Sequence, residues 1–118
     1  HTKDNLSQII QKLKDRDLPV LLVGIRSIEN YGKEYKFKFE SIYAELTKEF
    51  GLILYPDLLS PILNQDNLQL EKYYQADKLH PNADGVLLIV GGLIPSLIEL
   101  IELHFYWEQL LPIFFFHP

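Results

Sequence analysis

At 118 residues the chain has the length of one domain with a single modest core. Its net charge of −5 argues against nucleic acid or an anionic membrane as a partner, since both select basic surfaces. Hydrophobic residues at 47% and charged residues at 23% suit a soluble globular protein, and the lack of Cys excludes disulfides and thiolate metal sites.

The chain starts at His1 and contains no Met, a start expected from cleavage, a tag remnant or a beginning within a gene. The opening HTKDNLSQII has no basic-then-apolar order, so no signal peptide is expected. Residues 4–14 place Leu6, Ile9, Ile10 and Leu13 on one helical stripe, closed at Asp17-Leu18-Pro19 because Pro and its predecessor resist α geometry. PVLLVGI (19–25) is an apolar run without alternation, the pattern of a strand buried on both faces of a parallel sheet. A polar loop, RSIENYGK (26–33), follows at that strand's C-terminal end.

A second helix is predicted over about 33–50, with Tyr35, Phe39, Ile42, Tyr43, Leu46 and Phe50 on one face and Gly51 as its stop. LILY (52–55) reads as a second short strand, ended by Pro56-Asp57. Leu58, Leu59, Ile62 and Leu63 suggest a turn or two of helix within 58–76. From Asn82 the pattern is helical again, and Gly91-Gly92 with Pro95 predict a kinked helix or two in succession. The apolar run 86–94 is shorter than the about 20 residues a bilayer requires, and extending it meets Glu99 and Glu102, so no transmembrane span is expected. The tail HFYWEQLLPIFFFHP shows no clear period.

This order is an α/β pattern with a right-handed crossover. Two parallel strands leave their outer edges unpaired, so the chain reads as part of a larger sheet.

The stretch DKLHP (77–81) carries the chemistry. A carboxylate beside a His accepts the Nδ1 proton, fixes the tautomer and stabilises the imidazolium formed when Nε2 takes a proton. A spacing of three lets Asp77 fold back onto His80, and Pro81 suits the first turn of the next helix. The same spacing also fits an ordinary loop in which Asp77 caps a turn and His80 lies at the surface.

In its longer context, DKLHPNADG preceded by LPVLLVGIRSIENYGKEYKFKFESIYAELTKEFGLILYPDLL resembles the C-terminal half of an SGNH (GDSL-type) hydrolase. Within that family it is similar to bacterial arylesterases and to the thioesterase/lysophospholipase group. The resemblance covers about 5–103 and rests on D-x-x-H-P-N at 77–82, N-Y-G at 30–32, the Tyr35/Phe39/Tyr43 helix ending in KEF, and the second strand leading to Pro56. It implies a flavodoxin-like three-layer α/β/α sandwich, here partial, with parallel strands at about 19–25 and 52–55 and an incomplete sheet. It also implies a catalytic Asp77–His80 pair, a Ser nucleophile in a G-D-S-L block, and an oxyanion hole that includes a Gly and the Asn of a G-x-N-D block. The implied reaction is hydrolysis of small acyl esters or thioesters through an acyl-enzyme, with no cofactor or metal. Relatives are often exported, so the resemblance implies a bacterial periplasmic or secreted setting.

This sequence has neither the GDS nor the G-x-N-D motif, so the nucleophile, oxyanion Gly and oxyanion Asn are expected before His1, in the half that holds the missing strands. Among Ser7, Ser27, Ser41, Ser60 and Ser96, Ser27 is best placed to substitute, although GIRSI lacks a sharp Gly-flanked turn. The chain alone is therefore expected to be inactive. Residues 1–104 are expected to be the hydrolase portion and 105–118 an aromatic tail outside it.

Arg26, Asn30 and Tyr31 are candidates for the substrate pocket, against the plainer readings of a salt-bridged Arg and a turn built on Gly32. Tyr73 and Tyr74 fit a packing role beneath the pair. His104 and His117 have no ligand partner at metal spacing. The open sheet edge could take a second copy or a complementing chain. The other class of reading is a non-catalytic remnant or interaction module working through that edge and the aromatic tail.

Overall fold

The computed structural model describes residues 1–26 and 32–116, with side chains described except at 67, 68, 107, 108 and 110–116. Ser27, Asn30, Tyr31 and His117 lie outside the described residues.

Helix α1 (Thr2–Lys14) forms on its apolar stripe, with Ile10 buried and Leu6 and Leu13 half-buried. Its end is capped before Pro19 is reached. Asp17 adopts left-handed backbone (φ 56°), donating its N–H to the Lys14 carbonyl at 2.9 Å, while Leu18 N–H reaches the Leu13 carbonyl at 3.2 Å. Those two bonds satisfy carbonyls that a helix end leaves orphaned.

Strand β1 (Leu21–Val23) pairs in parallel with β2 (Ile53–Tyr55), in the register Leu21↔Ile53, Leu22↔Leu54 and Val23↔Tyr55. Both are shorter than their apolar runs. Pro56 ends β2 because it has no N–H to give the ladder, although Gly24 just past β1 still donates to the Tyr55 carbonyl at 2.8 Å and accepts the Leu58 N–H at 2.9 Å. Helix α2 (Lys33–Phe50) makes the crossover and stops at Gly51, whose φ of 64° is the left-handed cap the sequence predicts. The two-stranded sheet is incomplete, as expected: among the described residues, no strand lies beyond β1 or beyond β2.

Alternation along the strands separates two helical layers. Leu22 and Leu54 face α1 and α2, in a core of Ile10, Leu22 and Leu46 flanked by Ile42, Tyr43, Phe50 and Leu52. Tyr55 turns the other way, toward the last helix. That second layer holds α3 (Ser60–Leu63), a 3-10 helix (Asn67–Tyr73) and α4 (Ala83–Phe116), packed around the fully buried Ile62.

Helix α4 runs on where the sequence suggests interruptions. It runs as one 34-residue helix through Gly91-Gly92 and Pro95, and it continues into the aromatic tail. Pro95 forfeits one hydrogen bond, to the carbonyl of Gly91, and Gly91 is exposed, so water can satisfy it. Gly92 is a packing residue, because a Cβ there would stand 2.4 Å from Pro61 Cγ and 2.6 Å from the Tyr55 hydroxyl. Finally, the 24 residues Ala83–Tyr106 are long and apolar enough, by length and composition, to cross a bilayer.

Candidate active site

The 3-10 helix leads into a tight loop, 74–82, that carries the Asp77–His80 pair. Tyr74 and Pro81 form an isolated antiparallel bridge at the loop's neck. Gln75 N–H donates to the His80 carbonyl at 2.7 Å, and its side-chain amide donates to the Pro81 carbonyl at 3.2 Å. Lys78, at the tip, takes left-handed backbone (φ 58°).

Asp77 organises the turn. One carboxylate oxygen, Oδ1, accepts the backbone N–H of Leu79 at 2.9 Å and of His80 at 3.0 Å. The other, Oδ2, stands 2.5 Å from His80 Nδ1. The two readings of D-x-x-H therefore coincide, since one carboxylate both caps a turn and holds the imidazole. These contacts pull the Asp77 pKa down to about 2, chiefly through the His80 side-chain hydrogen bond and then through the two backbone N–H donors. With Nδ1 engaged by an ionised carboxylate, Nε2 is the ring nitrogen positioned to take a proton. The pair lies open to solvent, with the His80 side chain 73% and the Asp77 side chain 42% exposed.

Asn82 fastens this loop to α4. Its Oδ1 accepts the Gly85 N–H at 3.0 Å, capping the helix, while its Nδ2 donates to the carbonyls of Lys72 at 2.6 Å and Tyr74 at 3.2 Å. The turn after His80 is thus fixed from both sides. The sequence signal was present, an Asn immediately before a helical run, but only the structure adds the contacts back to the 3-10 helix.

Arg26 sits elsewhere at the C-terminal end of the strands. Its Nε pairs with Oδ2 of Asp57, a carboxylate nine-tenths buried whose Oδ1 accepts the Leu59 N–H at 3.1 Å. Arg26 and Asp57 line a cleft of about 280 Å³ together with Glu40, Tyr43 and Pro56. Neither Asp77 nor His80 lines it. Tyr74 links the two places: its backbone bridges to Pro81, and its hydroxyl pKa is raised by burial and by the charge of Asp57. Asp57 was missed in the sequence, although its position after the second strand is where α/β folds keep their sites. Among the described residues, no three His, Cys, Asp or Glu side chains gather closely enough to hold a metal ion.

No protein-family model matches the chain. It is 32% identical over 101 residues to thioesterase 1/protease 1/lysophospholipase L1 of Escherichia coli (strain K12), which covers 86% of this chain and 46% of that protein. It is 31% identical over 95 residues to an arylesterase of Vibrio mimicus, covering 80% of this chain and 45% of the relative. Among solved structures it superposes on TesA with a TM-score of 0.69 at 26% identity, over 83% of this chain and 52% of that one. It superposes on AlinE4, an SGNH-hydrolase family esterase, with a TM-score of 0.55 at 31% identity, over 82% and 49% of the two chains. The chain spans about half the length of the curated relatives it matches. Sequence and fold agree in what they match: the chain corresponds to a partial SGNH hydrolase.

Proposed function

We propose that the chain supplies the general-base half of a serine ester or thioester hydrolase, with Asp77 orienting His80. The observation that carries this reading is the 2.5 Å contact between Asp77 Oδ2 and His80 Nδ1, in a loop whose backbone is held by the same carboxylate. In the proposed cycle His80 Nε2 takes the proton of a serine hydroxyl as it attacks the acyl carbon, then returns that proton to the leaving alcohol or thiol. The same nitrogen next activates the water that frees the acid. The serine and the oxyanion donors are supplied by an N-terminal half, from the same polypeptide or a separate chain. Residues 1–104 are the hydrolase portion, and Arg26, on the cleft beside Asp57, is a pocket residue; Asn30 and Tyr31 are proposed with it.

Loss of a triad serine costs on the order of 10⁶ in rate, so the chain alone turns over no ester. A fluorophosphonate probe, which reacts with activated serines, leaves the chain unlabelled. Labelling at Ser27 would overturn the missing-nucleophile reading. The second reading, a non-catalytic interaction module, is favoured by the sheet edges left unpaired among the described residues.

A further inference from the structure

The backbone of His80 is pinned on both sides by residues of its own loop. Asp77 Oδ1 accepts the His80 N–H at 3.0 Å, and Gln75 N–H donates to the His80 carbonyl at 2.7 Å. Gln75 is engaged elsewhere too: its carbonyl accepts the Lys78 N–H at 2.9 Å, and its side-chain amide donates to the Pro81 carbonyl at 3.2 Å. That last bond is the residue-specific one, since any residue but Pro supplies the two backbone groups. Where the amide lands follows from Pro81. Tyr74 and Pro81 face each other in an antiparallel bridge whose hydrogen bonds lie to either side, from Gln75 N–H to the His80 carbonyl and from Asn82 N–H to the Tyr73 carbonyl at 2.9 Å. Such a position needs no N–H, which is why a Pro is accommodated there, and it leaves the Pro81 carbonyl out of the ladder. The Gln75 side chain bonds that carbonyl and so ties the residue after His80 to the limb that enters the turn.

The consequence falls on the imidazole. The His80 side chain is 73% exposed, so packing does not orient the ring. Its orientation comes from the 2.5 Å contact between Nδ1 and Asp77 Oδ2, and a contact that short tolerates little movement of either limb of the loop. We propose that Gln75 is a positioning residue for the general base: by bonding the Pro81 carbonyl across the neck of the loop, its side-chain amide holds the His80 backbone where the ring meets Asp77 Oδ2. The inference rests on the reading of Asp77–His80 as a general-base pair, and it adds a residue that acts through the His80 backbone. Opening the neck lets the ring swing away from the carboxylate, and the neutral imidazole then loses its preference for carrying the proton on Nδ1.

The test reads the ring itself, on the 118-residue chain and without an activity assay. With the histidine nitrogens labelled and the rings neutral at alkaline pH, nitrogen NMR separates the Nδ1–H tautomer from the Nε2–H tautomer. The His80 signals are those missing from His80→Ala. In the parent, His80 is mostly the Nδ1–H tautomer, the form that an acceptor at Nδ1 selects. Gln75→Met keeps the length of the side chain and removes its donor. It lowers the ratio of Nδ1–H to Nε2–H about twofold or more, the effect of losing one hydrogen bond, while the amide spectrum outside 74–82 matches the parent. Nitrogen relaxation of the Gln75 side-chain amide gives a second answer that needs no variant: the amide is held, with an order parameter above about 0.6. A parent whose His80 is mostly Nε2–H overturns the general-base reading and this inference with it. A parent with the Nδ1–H tautomer whose ratio survives in Gln75→Met overturns the inference alone, as does a Gln75 amide with an order parameter below about 0.6.

Discussion

Asp77 is the residue on which the site turns, and its ionisation is directly measurable. Its pKa is depressed to about 2 by the His80 side chain and by two backbone N–H donors. For a depressed carboxylate, the stabilising contribution is present above the unfolded value and is lost as pH falls through the folded one. The window is therefore between the ordinary carboxyl value of 3.8 and about 2. A carboxyl-carbon NMR titration finds the Asp77 midpoint well below 3.8; a midpoint near 3.8 would remove the hydrogen bonds from the account. Asn82 offers a second test, since Asn82→Ala deletes an N-cap and two bonds to carbonyls. It lowers stability by about 1 kcal/mol or more in urea denaturation and broadens the backbone resonances of 74–81. The contact between Asp77 and His80 was legible in the sequence because three residues and a Pro confine both partners to one turn. Asp57 was not, because its partner Arg26 is distant in sequence and a carboxylate after a strand reads equally as a turn former.

At the level of elements, the first two helices followed their apolar periods closely, the strands formed within their apolar runs, and Gly51 ended α2 where a left-handed residue was required. Helix α4 did not follow from local signals. Gly91, Gly92 and Pro95 each read as a breaker, and only packing separates their roles. At Gly92 the backbone approaches Pro61 and Tyr55; at Gly91 a Cβ would meet nothing within 4 Å. Two substitutions one residue apart therefore act in opposite directions. Gly92→Ala forces Pro61 or Tyr55 aside and destabilises by about 1–3 kcal/mol. Gly91→Ala fills open space in a helix interior and stabilises by about 0.5–1 kcal/mol. Urea midpoints measured side by side check the sign of each, and equal shifts for both would show that α4 does not pack on α3 and β2 as described.

For the molecule as a whole, three parts of the account converge on incompleteness. The strands pair only with each other among the described residues, the motif blocks for a serine nucleophile are absent from the sequence, and the matched relatives are about twice as long as the match. The first two were readable before any coordinates, because a strand run without alternation demands cover on both faces. The exposed apolar face of α4 was not, since an apolar run gives no sign of which side will be covered. The reading that unites these facts is a chain that holds the base of a hydrolytic site without its nucleophile. It is tested most directly by mixing the purified chain with an N-terminal half that bears the G-D-S-L serine, taken from a matched SGNH relative, and following hydrolysis of p-nitrophenyl butyrate. The account predicts no turnover from either piece alone, turnover from the mixture, and its loss when His80 is replaced by Ala. Turnover by the chain alone, or by the mixture carrying His80→Ala, would contradict it.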